Sequence, residues 1–179
     1  WVSPCMQQFT GTEWTGLEMV ISGIDATLGL FRKPTEEEIR TATELMTRFR
    51  CAHLADQPIF TMSSGEQVKI LIARALLTKP DLVILDEPSV YLDMAGREFL
   101  LGEIDNIARK LPDTTIIFIT QRIEDILPVF SQGMIIANGR VESAGNREEI
   151  LDEQNLSHAF GLPIRLLRNK AGRYWAMLE

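Results

Sequence analysis

Two stretches decide how this sequence folds: Leu82-Val83-Ile84-Leu85-Asp86-Glu87-Pro88, and before it Thr61-Met62-Ser63-Ser64-Gly65-Glu66. Four apolar residues that end in two acids are typical of a buried parallel strand. Such a strand delivers carboxylates to the C-terminal edge of an α/β sheet, where sheets of this kind bind ligands. The later stretch therefore predicts a strand with Asp86 and Glu87 at its end.

The earlier stretch predicts the start of a helix. Ser63 and Glu66 have the spacing of a capping box and stand before an apolar-periodic segment. Because the first-turn amides of a helix face outward, the N–H groups of Ser64 and Gly65 are predicted to form an anion site. The distance along the chain from Gly65 to Asp86 leaves room for a helix of about four turns and a short loop. Both stretches thus fit one folded unit.

Together these stretches resemble the nucleotide-binding domain of ABC-type ATPases. In that family an LSGGQ-like signature precedes a Walker B strand, a catalytic glutamate and a D-loop. The matching segments here are Met62 to Glu66, Leu82 to Asp86, Glu87, and Ser89 to Asp93. Each motif alone is short enough to arise by chance, but four in the family's order and spacing make the resemblance specific.

The resemblance continues over nearly the whole chain. The β-branched run 115–119 is similar to the strand that carries the family's switch histidine, and residues 133–145 resemble its closing hairpin. Within that hairpin, Asn138-Gly139 is a type I′ turn signal. Residues 155–163 are similar to single-domain cassettes of the molybdate and photorepair type.

Alternating helical and apolar segments followed by hairpin signals predict an α/β fold with a mainly parallel sheet and an antiparallel margin. The resemblance implies a RecA-like P-loop NTPase core with the ABC helical subdomain, its first strands and Walker A missing. We expect residues 1–78 to form the Q-loop region and helical subdomain, ending in the signature helix. Residues 79–145 would carry Walker B, the D-loop and the switch strand, and residues 146–179 a C-terminal helix and hairpin.

A further helix is predicted within the first of these segments. Thr35 and Glu38 repeat the capping-box spacing. The apolar face of this helix is predicted from helical periodicity to contain Ile39, Ala42, Met46 and Phe49.

The resemblance also implies roles for the two acids of the strand end. Asp86 would hold Mg²⁺ through a water, since Mg²⁺ keeps part of its hydration shell. Glu87 would orient or deprotonate the attacking water. The alternative for this pair is a simple acidic turn.

For the signature, the resemblance implies contacts with the γ-phosphate of ATP held by a second subunit. The residues concerned are Ser63, Ser64 and Gly65, followed by Glu66. An ordinary helix cap is a compatible alternative. Asp93 would lie at the dimer interface as the D-loop aspartate, although an N-cap of the next helix is an equally natural role.

The sequence departs from the family pattern near its start. Its one G-x-x-x-x-G runs from Gly11 to Gly16, but Leu17-Glu18 follow where a P-loop needs Lys and then Ser or Thr. The printed sequence therefore contains no Walker A, and we expect it to begin inside a longer protein.

Two further positions differ from the family. Ser3-Pro4 stand where the Q-loop glutamine is expected, with Gln7 and Gln8 displaced from that place. Gln121 stands at the switch position; it can hydrogen-bond there but cannot titrate as histidine does.

Composition narrows the classes of function. The 179 residues, 45% of them hydrophobic, suffice for one core, and no apolar stretch approaches the roughly 18 residues that cross a bilayer. The net charge of −7 disfavours a nucleic-acid surface. Metal-ligand spacing is absent from the cysteines, Cys5 and Cys51, and from the histidines, His53 and His158. The sequence therefore favours cysteines that are reduced packing residues and argues against a metal centre.

The resemblance therefore implies a subunit that binds ATP and Mg²⁺ and hydrolyses ATP as a head-to-tail homodimer. It would power transport through a separate membrane permease, in the cytoplasm and peripheral at the membrane's inner face. Two alternatives stay open: a non-transport ABC ATPase that acts as a nucleotide-dependent switch, and a degenerate, non-hydrolysing cassette used for dimerisation. The chain alone is expected to be inactive for lack of Walker A, and no direct nucleic-acid binding is expected.

Overall fold

The computed structural model describes residues 1–3, 6 and 13–179, which divide into two compact units at residues 1–119 and 120–179. Cys5, Gln7, Gln8 and Gly11 lie outside the described residues. The elements of the first unit are α1 (Gly16–Ile21), α2 (Glu36–Arg48), α3 (Ser64–Leu76), β1 (Leu82–Asp86), α4 (Met94–Lys110) and β2 (Thr115–Ile119). Those of the second unit are β3 (Gln132–Ala137), β4 (Arg140–Asn146), α5 (Arg147–Ile150), α6 (Glu153–Phe160), β5 (Ile164–Arg168) and β6 (Tyr174–Leu178). The three-part division expected from the sequence stays a prediction.

The parallel sheet forms where it was predicted. β1 and β2 pair in parallel along their whole lengths. On the other side of β1, Val2 forms a parallel bridge with Leu85. The Val2 N–H donates to the Ile84 carbonyl and the Asp86 N–H donates to the Val2 carbonyl, both at 2.8 Å. β1 therefore lies between Val2 and β2, and the carboxyl ends of these segments share one edge.

One face of this sheet is more exposed than the prediction of a buried parallel strand implies. Val83 and Leu85 are buried, but Leu82, on the opposite face of β1, is 47% exposed. Ile117 and Ile119 of β2 continue that face at 44% and 46% exposed. Among the described residues only one face of the pair is covered. The apolar run could not reveal this, because it places apolar side chains on both faces alike.

Helices α1, α2 and α3 pack on one another, and each begins with a capping box. In each box the N-cap hydroxyl accepts a backbone N–H, and a glutamate three residues on accepts the N-cap N–H. The pairs are Thr15–Glu18, Thr35–Glu38 and Ser63–Glu66. The two boxes predicted from the sequence are confirmed.

The buried side of α2 begins later than predicted. Ala42, Met46 and Phe49 are buried, as expected, but Ile39 in the first turns of the helix is 38% exposed. In α4 the buried positions are Leu100, Leu101, Ile104 and Ile107.

The second unit confirms the predicted hairpin. β3 and β4 pair antiparallel, with Gly133 opposite Gly145. Asn138 and Gly139 both have positive φ, 51° and 71°, as a type I′ turn requires. The core of this unit consists of Ile123, Ile150, Leu151, Leu156, Ile164 and Tyr174. Within the described parts of the chain, no helix is long and apolar enough to span a membrane.

Candidate functional site

The start of α3 is organised around Ser63 and Glu66. Oε2 of Glu66 accepts the Ser63 N–H at 2.8 Å and the Ser63 hydroxyl at 2.7 Å, while the Glu66 N–H donates to Ser63 Oγ at 3.4 Å. These bonds from Ser63 are the main cause of a lowered pKa of Glu66, and the charges of His53 and Lys69 add to it. The helix therefore starts with an ionised carboxylate that fixes the serine.

A pocket of about 470 Å³ lies over this helix start. One wall comes from α3 and the other from the loop that leads into α4. The lining residues are Ser63, Ser64, Gly65, Glu66 and Lys69 on the first wall, and Tyr91, Leu92, Asp93 and Gly96 on the second. The fold thus brings the predicted signature and D-loop residues to one cavity.

Two glycines allow the walls of this pocket to form. A Cβ on Gly65 would lie 2.9 Å from Cδ2 of Leu92, so the absent side chain lets the D-loop leucine approach the helix start. Gly96 donates its N–H to Oδ1 of Asp93 at 2.7 Å, and a Cβ there would lie 2.8 Å from the same oxygen. Asp93 is therefore the N-cap of α4, the structural role foreseen for it.

Asp86 and Glu87 lie half-buried at the end of β1 and do not line this pocket. The Glu87 N–H donates to the Ile119 carbonyl at 2.9 Å, which ties the strand end to β2. Glu87 has a φ of 47°, in the left-handed region that a side chain disfavours by about 1–2 kcal/mol. Such strain persists only where the surroundings impose it, and it clusters at functional sites.

Gln121 belongs to the second unit and is exposed. It lines a groove of about 200 Å³ whose other walls are mainly apolar. Among the described residues, no group of three His, Cys, Asp or Glu side chains could hold a metal ion. The buried thiol of Cys51 has its pKa raised to about 11 by burial.

Among the residues that line the pocket, sequence reasoning did not single out Lys69, Tyr91 or Gly96. Lys69 stands three residues after Glu66, so helical spacing alone placed it on the same side of α3. Tyr91 lies inside the predicted D-loop. Its aromatic ring was the sequence feature that could have indicated a place in the pocket lining.

A family model for the ABC transporter matches residues 6–90, which include the signature and Walker B segments and the acidic pair. The uncharacterised ABC transporter ATP-binding protein YlmA of Bacillus subtilis (strain 168) is 38% identical over 94% of this chain and 64% of its own length. This chain belongs to the ABC ATP-binding cassettes. Its resemblance to them, inferred from the four motifs, is confirmed.

Other relatives agree with this family. The molybdate import ATP-binding protein MolC of Haemophilus influenzae (strain ATCC 51907 / DSM 11121 / KW20 / Rd) is 27% identical over 83% of the cassette and 58% of its own length. The cassette thus spans 64% and 58% of the lengths of these two curated relatives.

A solved structure described as a metal-chelate type ABC transporter, in an inward-facing conformation, matches with a TM-score of 0.78 at 23% identity. It covers all of the cassette and 70% of that chain. At that identity the match shows the fold alone, and the predicted α/β fold of the P-loop NTPase class is confirmed.

Proposed function

We propose that this cassette is the ATP-binding and ATP-hydrolysing part of an ABC transporter. It would pair head to tail with a second cassette around MgATP and drive a membrane permease from the inner face of the membrane. The observation that carries this proposal is the shared pocket, in which the start of α3 meets the D-loop. The intact Asp86–Glu87 pair at the end of β1 supports it.

The donor set at the strand end fits a nucleotide-bound Mg²⁺. This ion takes one or two carboxylates together with phosphate oxygens and waters, so Asp86 would supply the protein's share. The metal would neutralise phosphate charge when bound. The printed sequence lacks the glycine-rich loop and lysine that cradle phosphates, which a Walker A segment would have to provide.

Glu87 would act as the general base or water-positioning group. Its left-handed backbone turns the chain away from the strand line directly after Asp86. Adjacent residues of a strand face opposite sides, and this turn gives the second carboxylate a direction that a regular strand would not. Gln121 keeps the switch role that the sequence resemblance implies, as part of the same proposal.

The signature pocket would receive the phosphates of ATP bound by the partner cassette. The α3 N-terminus supplies favourable backbone dipoles, and Lys69 supplies a positive charge. Ser64 and Gly65 would contact the γ-phosphate, and Ser63 would join them by turning its hydroxyl from the Glu66 carboxylate to the phosphate. Asp93 would face the partner across the dimer. The permease would determine what is transported. A relative named for molybdate import is similar to this cassette. The described surface of the cassette does not itself indicate a substrate.

The proposal is tested by joining a Walker A segment from an ABC cassette to the amino end of this chain, giving the extended chain. We expect the extended chain to bind and hydrolyse MgATP. Glu87→Gln should keep binding and slow hydrolysis by a factor of about 10² to 10⁴, the usual loss of a general base. Steady-state phosphate release and a nucleotide titration measure the two effects.

Asp113→Asn is the matched control, because Asp113 is an exposed acidic turn residue away from this strand end. It should leave the rate unchanged, and the unextended chain should release no phosphate. If Glu87→Gln turned over at the parent rate, Glu87 would be a turn residue only. An extended chain that binds MgATP without hydrolysing it would favour the degenerate, dimer-forming cassette.

A further inference from the structure

One aromatic side chain joins α4 to both α2 and α3. Phe99 lies half-buried on α4, with Arg50 Cζ 4.5 Å and Lys69 Nζ 5.6 Å from the centroid of its ring. A cation within about 6 Å of an aromatic centroid is attracted to the ring face. Arg50 follows the end of α2 and Lys69 lies on α3, so a single ring holds side chains from two other segments.

A second contact lies one turn further along α4. Arg48, the last residue of α2, donates from Nε to Oε2 of Glu103 at 3.2 Å, and this carboxylate is largely shielded from solvent. Phe99 and Glu103 are four residues apart and so occupy the same side of the helix. This side of α4 is therefore the one that faces α2 and α3.

Helices α3 and α4 begin at the two walls of the signature pocket. Lys69 lines the first wall, one turn after Glu66, which fixes Ser63 through two hydrogen bonds. The second wall is the start of α4, where Leu92 lies against the bare backbone of Gly65. The contact between Lys69 of α3 and Phe99 of α4 therefore bears on the distance between these walls.

Arg50 ends α2 in a Schellman motif, in which its N–H donates to the Thr47 carbonyl at 3.0 Å and the Cys51 N–H donates to the Met46 carbonyl at 2.9 Å. Its φ of 53° is the left-handed conformation of that cap. The cap fixes the backbone from which the Arg50 guanidinium stacks on Phe99.

We propose that Phe99 is a positioning residue whose ring, by holding Arg50 and Lys69, fixes the separation of α3 from the D-loop and so sets the width of the signature pocket. The width of the pocket is a property of the chain itself. Its consequence for nucleotide binding rests on the proposed function.

The experiment compares Phe99→Leu, which keeps an apolar side chain but removes the aromatic face, with Phe99→Tyr, which keeps that face. Magnetic resonance on the unextended chain would follow the nuclear Overhauser effect between the Gly65 α-protons and the Leu92 methyls. It would also follow exchange of the Gly96 amide, which donates to Asp93. We expect Phe99→Leu to weaken the Overhauser effect and to accelerate exchange of the Gly96 amide about tenfold or more, and Phe99→Tyr to behave as the parent.

Two controls separate positioning from general loss of structure. The core amides of Ile70 and Ile104 should exchange at the parent rate in every variant. Phe60→Leu, which changes an exposed phenylalanine other than Phe99, should leave the Overhauser effect and the amide exchange at the pocket unchanged. Lys69→Met should repeat the effect of Phe99→Leu, and Lys69→Arg should not.

The proposal is overturned if Phe99→Leu leaves the Overhauser effect unchanged and the Gly96 amide within twofold of the parent exchange rate. It is equally overturned if core amides accelerate as much as the Gly96 amide, or if Phe99→Tyr behaves like Phe99→Leu. No nucleotide enters these measurements, so a chain that fails to bind MgATP would count against the proposed function and leave this result intact.

Discussion

Glu87 combines an acidic side chain with a left-handed backbone, and only the first property could be read from the sequence. The run of apolar residues before Asp86-Glu87 marks a strand end from local pattern alone. The positive φ occurs at a residue whose N–H donates to the Ile119 carbonyl, which lies on another strand. Tertiary contacts of this kind leave no trace in a local window. The roles of the site residues therefore stay predictions, while their positions are now known.

The strain at Glu87 can be measured in the unextended chain. Glycine adopts positive φ without a Cβ penalty, so Glu87→Gly should stabilise the fold relative to Glu87→Gln by about 0.5–1 kcal/mol, after the entropy that glycine adds to the unfolded chain. Urea denaturation of the two variants compares them directly, since both lack the carboxylate. Equal stabilities, or a less stable glycine variant, would mean that the backbone at this place is unstrained.

Elements were predicted where their signals are local. The boxes Thr35–Glu38 and Ser63–Glu66 follow from spacing alone, because capping involves residues three apart. The box at Thr15–Glu18 was not singled out, although it has the same spacing. The face of β1 and β2 that is exposed among the described residues was not predicted, because burial depends on which elements pack on a strand.

Two glycines of α4 should respond with opposite signs to the same substitution. Gly102 is exposed, and a Cβ there would meet no atom within 4 Å, so Gly102→Ala should stabilise the chain by about 0.5–1 kcal/mol through helix propensity. Gly96→Ala should destabilise it by about 1 kcal/mol or more, because the new Cβ would crowd the Asp93 oxygen that caps the helix.

Thermal or urea unfolding of the two alanine variants beside the parent checks this pair. Both sites lie in the same helix, Gly96 in its first turn and Gly102 in its interior, so the difference reports mainly the crowding at the cap. A Gly96→Ala variant as stable as Gly102→Ala would show that the Asp93 cap yields to the added methyl without cost.

For the whole molecule, the order of motifs along the chain was enough to predict the family and the α/β fold. Motif order could not predict that the walls of the pocket are held together by Phe99, or that Lys69 and Tyr91 join its lining. These features arise when segments far apart in sequence meet, and side chains such as lysine and phenylalanine are too common on helices to mark them in advance.

The last prediction concerns two molecules, because the proposed site needs the signature of one and the Walker A of another. In the extended chain, Gly65→Asp places a carboxylate where phosphate would lie, and Glu87→Gln blocks turnover. We expect this double variant, loaded with MgATP, to form a one-to-one complex with the unextended chain, whose signature pocket is intact. Sedimentation velocity with and without MgATP measures the association. An unextended chain carrying Gly65→Asp should not associate, since like charges repel across the pocket. Association that ignores MgATP, or none in its presence, would remove the head-to-tail arrangement from the proposed mechanism.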